Sequence, residues 1–189
     1  MYDISKEFDF CYGHRVHNQQ LIDGFAEDTC LACRHLHGHQ GKVKLTLTAE
    51  KLKSGMVSDF KHTGVYRRFI DDHLDHKFIM DINDPAFGLM FPQLNKSDLI
   101  PIAPNFTSNK KMITINSAKY LTPELNMNMN PVMVELYEGM VFVNFVPTSE
   151  NLSKWLFDIA TEMLSHIDVK VKSVTFNETP KSQAEYSVN

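Results

Sequence analysis

The chain has no run of apolar residues approaching the roughly 18 that cross a bilayer as a helix, so no membrane partner is expected. It has no excess of positive charge either. Lys and Arg number 19 against 23 Asp and Glu, a formal net charge of −4. That balance lacks the basic footprint that nucleic acid demands and gives no pull toward anionic lipid. Cysteine is scarce: Cys11, Cys30 and Cys33. A low, odd count excludes a disulfide scaffold and suits a reducing compartment. The opening MYDISKEFDF has neither the basic start nor the apolar core of a secretion signal, so the expected location is the cytoplasm. A glycine-rich loop of the kind that cradles phosphate is also missing.

Histidine is what the chain has in quantity. Nine are present, and five of them fall between His14 and His39. The densest stretch is Cys33-Arg34-His35-Leu36-His37-Gly38-His39. In an extended segment side chains alternate, so His37 and His39 point to one side, with Gly38 leaving room between them. His14, upstream in CYGHRVH, is available as a third imidazole.

Length (189 residues), 43% hydrophobic and 22% charged content fit one soluble domain over 1–189. Phe8, Phe10, Tyr12 and His14 alternate as one face of a strand. Asn18 to Thr29 reads as loop. His37, His39, Gly41, Val43, Leu45, Leu47 and Ala49 share the buried face of a second strand, with Lys42, Lys44, Thr46 and Thr48 opposite. Ser58 or Asp59 caps a helix running to about His73, with Phe60, Val65, Phe69 and Ile70 inward. From about Asp84 to Val146 the chain is proline-rich and irregular, with an Asn/Met run at Asn126 to Asn130. This is an insertion with structure of its own, since so long a bare loop would be unusual. Lys111 to Ile115 reads as a short strand. Val132–Tyr137 and Met140–Val146, split by Glu138-Gly139, read as a β-hairpin. Next comes a helix capped by Thr148 or Ser149, with Leu152, Trp155, Leu156, Ile159, Ala160, Met163, Leu164 and Ile167 as its apolar stripe. Val169 to Thr179 is a strand, and Ala184 to Val188 adds a short last one. Strands and helices in this order make an α+β fold, helices on one face of an antiparallel sheet. Glu178 is out of place, because it shares a row with Val174 and Phe176. Either it sits in water at the strand end or it holds a partner or ligand.

Three neutral imidazoles leave an open corner on a tetrahedral zinc, the catalytic arrangement. Such an ion is a Lewis acid toward substrate oxygen. Cys33 as thiolate would be a fitting base beside it, and Asp75-His76 supplies a second acid/base unit. The rival arrangement is a closed structural site of Cys30, Cys33, His37 and His39. It uses the CxxC spacing, but histidines only two apart suit it poorly and His14 is left without a role. A site without metal, with HGH as a plain strand edge, is the third reading.

The pieces FDFCYGHRVH, CRHLHGH, GMVSDF, LDHKF, PTSENL and FNETP…AEY, in that order, resemble the 6-pyruvoyltetrahydropterin synthase / 6-carboxytetrahydropterin synthase family. They lie toward both ends of the chain. The stretch at about 84–146 falls outside them and is longer than the family leads one to expect. The resemblance implies the tunnelling fold, or T-fold: a four-stranded antiparallel sheet with two helices on one side. It implies homo-oligomers, trimers or dimers of trimers, with active sites between subunits. It implies Zn2+ on His14, His37 and His39, Cys33 as catalytic thiol, Asp75 and His76 as catalytic partners, and Glu178 as the carboxylate that anchors a pterin substrate. The Cys-x3-HGH spacing resembles the 6-carboxy branch, which belongs to queuosine synthesis. That branch converts 7,8-dihydroneopterin triphosphate to 6-carboxytetrahydropterin, acetaldehyde and triphosphate. The pyruvoyl branch, which keeps all three side-chain carbons, is one alternative, and a non-enzymatic zinc protein that binds pterin or purine is another. Arg15, Arg34, Arg67, Arg68 and Lys77 are the candidate cations for a triphosphate, each equally at home as surface charge.

Overall fold

The computed structural model describes residues 1–94, 99–101, 112–115 and 130–188. Lys111, Pro104, Pro123 and most of the Asn/Met run fall outside these residues. The chain divides into two compact units. One comprises Met1–Tyr12, His39–Asp75 and Thr148–Asn189; the other comprises Gly13–Gly38 and His76–Pro147.

The first unit is built on strands β1 (Tyr2–His14), β2 (His37–Ala49), β7 (Lys170–Thr179) and β8 (Ser182–Ser187), neighbours in that order. Thr48 Oγ1 donates to the Tyr2 carbonyl, and Lys42 Nζ meets Glu7 Oε2 at 2.9 Å. These contacts descend β2 as they climb β1, so the two strands run antiparallel. β2 pairs β7 antiparallel with Val43 opposite Phe176, and β7 pairs β8 antiparallel with Val174 opposite Tyr186. The alternation read from sequence is realised as far as Leu47: Phe8, Phe10, Tyr12 and His14 are buried, as are Val43, Leu45 and Leu47, but a register shift at Thr46/Leu47 leaves Thr48 buried and Ala49 half-buried, against the expected faces.

Two helices cover this sheet, α1 (Gly64–His73) and α4 (Ser149–Met163). Tyr66 packs edge-on against Phe8, and Phe157 against Tyr186. The helices meet each other where Phe69 lies edge-on to Trp155 and Tyr66 Oη donates to the Leu156 carbonyl at 3.2 Å. Each such side chain taken from water contributes about 1.5–3 kcal/mol, and so the apolar stripe of α4 dictates its seat. Thr148 caps α4, its hydroxyl accepting from Asn151 N. Asp59 also caps as expected, accepting from Lys61 N. The chain after Asp59 first makes a tight turn, Phe60–Thr63, and only then enters α1. That turn takes Phe60 off the apolar stripe, leaving it 48% exposed, and Tyr66 and Leu74 fill the core with Phe69 and Ile70. The four-stranded antiparallel sheet with two helices on one face is the expected α+β T-fold.

The second unit has its own core of Met80, Phe87, Phe91, Leu94, Val134, Tyr137, Met140 and Phe142. Phe87 and Phe91 both stand edge-on to Phe142. Its strands are β3 (Lys77–Asp81), β4 (Leu99–Pro101), β5 (Met112–Ile115) and β6 (Met140–Val143). β3 pairs β6 in parallel, β6 pairs β5 antiparallel and β5 pairs β4 antiparallel. Short helices α2 (Phe87–Met90) and α3 (Pro131–Glu138) complete it.

The expected hairpin is corrected here. Its second strand exists as β6, but Val132–Tyr137 lies in helix α3. Asn130 caps that helix through Oδ1, which accepts from Val132 N at 2.8 Å, and Pro131 stands at its first position. Val134 and Tyr137 are buried while Val132 and Leu136 are exposed, the spacing of a helix rather than a strand. The cap and the proline outweigh the β-branched valines.

Candidate metal centre

β1 ends on His14, which is fully buried. Gly13 precedes it because a Cβ there would stand 2.5 Å from the Phe78 ring and 3.3 Å from the His37 carbonyl. His14 Nδ1 lies 2.8 Å from the Pro147 carbonyl oxygen. His37 Nδ1 lies 2.8 Å from the His35 carbonyl oxygen. A carbonyl only accepts, so each Nδ1 carries the hydrogen, which is the tautomer that puts the lone pair of a neutral ring on Nε2. This is how proteins orient imidazoles that ligate metals. The two rings are 4.5 Å apart between centroids.

His39 stands two residues further along β2 and so shares the face of His37. Its Nε2 lies 2.9 Å from Glu178 Oε1. Glu178 Oε2 accepts from Ser149 Oγ at 2.8 Å. Ser149 is the first residue of α4, whose N-terminus favours a nearby anion. The acid left on the apolar row of β7 is therefore neither idle nor in bulk water. Tyr12 packs against His39 and Phe176. Burial, and then the charge of Glu178, push the Tyr12 phenol well above its ordinary value.

His14, His37, His39 and Glu178 each offer one donor atom, and all four atoms lie within 4.8 Å of one another. Such a group could hold a metal ion. Its donors are imidazole and carboxylate, a set suited to zinc and other borderline divalent ions. Neither Cys30 nor Cys33 belongs to it. The closed Cys2His2 site is thus not the group that forms.

Cys33 sits in a single turn, Ala32–Arg34, half-buried. Its carbonyl accepts from Val16 N at 2.7 Å, and its N–H donates to Gln19 Oε1 at 3.0 Å. Cys30 is exposed. Asp75 Oδ1 accepts from Cys11 N at 2.8 Å. His76 is exposed and has φ +58°, a left-handed backbone that costs a non-glycine residue about 1–3 kcal/mol and tends to mark functional sites. Of the candidate cations, Arg15 pairs with Asp84 at 2.8 Å, Arg34 donates to the Gln19 carbonyl, Arg67 pairs with Asp71, and Lys77 donates to the Glu138 carbonyl. Arg68 is exposed on α1. Sequence reasoning did not single out Pro147 or Gln19 and read Ser149 only as a possible cap. Pro147 and Ser149 were visible only as part of the PTSENL piece and Gln19 only as loop, because the contact through which each acts is distant along the chain.

An α+β chain with a histidine-rich group able to hold a metal is the class of protein that the fold and site define. The family model described as 6-pyruvoyl tetrahydropterin synthase matches residues 3–189, and the chain belongs to that family. The bounds of the match enclose residues 84–146, the stretch that the short motifs left uncovered. A protein of Aquifex aeolicus named 6-carboxy-5,6,7,8-tetrahydropterin synthase is 30% identical over 197 residues, covering 98% of this chain and 97% of its own. A structure of an uncharacterized protein from Wolinella succinogenes is 44% identical with a TM-score of 0.88, covering 100% of this chain and 98% of that one. The 6-pyruvoyl tetrahydropterin synthase of Plasmodium vivax, 19% identical with a TM-score of 0.51, covers 100% of this chain and 98% of its own and shares the fold. No helix among the described residues is long and apolar enough to cross a membrane.

Proposed function

We propose that the chain is a zinc-dependent 6-carboxy-5,6,7,8-tetrahydropterin synthase, a lyase acting on 7,8-dihydroneopterin triphosphate in queuosine synthesis. The observation that carries the reading is the pair of Nδ1-to-carbonyl contacts that leave His14 and His37 with Nε2 lone pairs beside His39. The name of the full-length Aquifex aeolicus relative favours the carboxy branch over the pyruvoyl one.

His14, His37 and His39 would hold the ion. Zinc, when bound, supplies Lewis acidity toward the oxygens of the substrate side chain. Glu178 accepts from adjacent N–H donors of the pterin ring in a bidentate way and so fixes the substrate's orientation. Cys33, as thiolate, takes the proton from a side-chain carbon. Asp75 and His76 act as the partner acid and base that return a proton before triphosphate departs. In the carboxy branch one water is then consumed as the side chain is cut, its oxygen entering the products as the carboxyl group forms on the ring and acetaldehyde leaves. The protein works in the cytoplasm as one T-fold domain with an insertion at about 84–146. It assembles as a trimer or a dimer of trimers with sites at subunit interfaces.

The test is turnover of 7,8-dihydroneopterin triphosphate by zinc-loaded protein, with products identified by mass spectrometry. 6-Carboxytetrahydropterin with acetaldehyde is the expected result, and Cys33→Ala should abolish it while zinc content holds. A product retaining three side-chain carbons would move the assignment to the pyruvoyl branch. Unchanged substrate would remove the enzymatic reading.

A further inference from the structure

Gln19 engages the loop that carries Cys33 twice. Its side-chain Oε1 accepts the Cys33 N–H at 3.0 Å. Its backbone carbonyl accepts from both Nε and Nη2 of Arg34, at 3.0 and 2.7 Å. One residue therefore holds two consecutive residues of the Ala32–Arg34 turn, the first of them being the thiol. Val16 N adds a third bond, to the Cys33 carbonyl at 2.7 Å. Both backbone polar groups of Cys33 are thus tied to the segment that leaves β1.

That segment is itself anchored on either side of Val16. Arg15 Nε lies 2.8 Å from Asp84 Oδ2, and the Asp84 side chain is 1% exposed. His17 Nε2 lies 3.2 Å from Asp81 Oδ2. Asp81 and Asp84 stand where β3 ends, and each is locked by its own chain: Asn83 N donates to Asp81 Oδ1 and Ala86 N to Asp84 Oδ1. The support therefore runs from the end of β3 through Arg15 and His17 to Val16 and Gln19, and from there to Cys33. Buried, hydrogen-bonded carboxylates make a firm base for such a strap, because any displacement leaves a desolvated charge unpaired.

A turn of three residues has little rigidity of its own. Proton abstraction is steeply sensitive to the placement of the base. We propose that Gln19 is a positioning residue for Cys33, its amide oxygen fixing the backbone from which the thiol projects, with the Arg34 strap as the second half of the same clamp. The proposal rests on the assignment of Cys33 as the base.

The test uses full-length, zinc-loaded protein with 7,8-dihydroneopterin triphosphate. Gln19→Leu keeps the shape and removes the acceptor. Gln19→Glu keeps an acceptor oxygen in the same place. The expected result for Gln19→Leu is a kcat about tenfold or more below the wild type, with KM within about twofold and zinc content unchanged, since neither the pterin anchor nor the imidazoles are touched. Gln19→Glu should recover most of that loss. Arg34→Met, which cuts the other half of the clamp, should also lower kcat if Gln19→Leu fails to yield folded protein, and kcat alone is read there because Arg34 is a candidate triphosphate cation as well. Wild-type kcat in both Gln19→Leu and Arg34→Met would overturn the proposal, as would equal impairment of Gln19→Leu and Gln19→Glu. A Cys33→Ala variant measured alongside separates the two levels. Full activity there removes the base assignment itself, and the clamp's purpose with it, whatever the Gln19 variants do.

Discussion

Glu178 stands at a point where two roles make opposite forecasts. It is one of four residues whose donor atoms lie within 4.8 Å of one another, and it is also the residue that would anchor a pterin ring. Glu178→Gln separates these roles. The amide keeps the size of the side chain and an oxygen for Ser149 Oγ, now 2.8 Å away, so α4 keeps its start. The change removes the negative charge, in a side chain 22% exposed and 2.9 Å from His39 Nε2. A hydrogen bond to a charged group is worth about 1.5–3 kcal/mol net. If Glu178 holds the pterin, binding should weaken by about tenfold to a hundredfold. Three imidazoles suffice for a catalytic zinc site, so zinc should remain at its wild-type stoichiometry. The assay is a pair of measurements on one sample: metal content after extensive desalting, and titration with a pterin monitored by its fluorescence. Loss of zinc with pterin affinity intact would refute the reasoning and make Glu178 a fourth ligand. Partial exposure bounds the forecast from above, because solvent screens part of the charge.

Two buried groups carry further expected outcomes. Arg15→Met keeps the aliphatic stem but leaves the Asp84 carboxylate, 1% exposed, without its cation; a loss of about 3 kcal/mol is expected. Urea denaturation measures it, and a loss under about 1 kcal/mol would mean the pair is not the anchor described. Tyr12 and Tyr66 both have phenols raised above the ordinary value, chiefly by burial. In the unfolded chain they ionise near pH ~10, so above that the unfolded state binds fewer protons than the folded state and stability falls as pH rises. Phenolate absorbance from these two should thus appear together with unfolding in an alkaline titration; a gradual rise with the fold intact would contradict their burial.

How much of this was legible in the residues depends on the range of the interaction that decides each element. The β1 and β2 faces could be read because alternation is a local property, and His14, His37 and His39 rode on it. The α4 stripe could be read for the same reason at a different period. β3 could not: Ile79 to Asp81 are buried without alternation, as befits a strand that pairs in parallel with β6. Helix α3 was missed because Val132 and Val134 argue for strand, while the deciding features are the Asn130 cap with Pro131 behind it, a local signal those valines mask, and the burial of Tyr137 against Phe91, which only the core settles.

The candidate site divides along the same line. Imidazoles and a thiol announce themselves by type and spacing, whereas the groups that set their tautomers and angles do not. Pro147 is 133 residues from His14, and it acts through a backbone carbonyl that any residue type would present. Ser149 is 29 residues from Glu178, and Gln19 is 14 from Cys33. None of the three carries unusual chemistry. Their effect lies in where the fold delivers an ordinary acceptor or hydroxyl. His14 Nδ1 meets the Pro147 carbonyl, and Thr148, which caps α4, comes directly after Pro147 in the chain. One ordinary carbonyl, that of Pro147, thus sets the hydrogen on His14 Nδ1, and one ordinary hydroxyl, that of Ser149, holds Glu178.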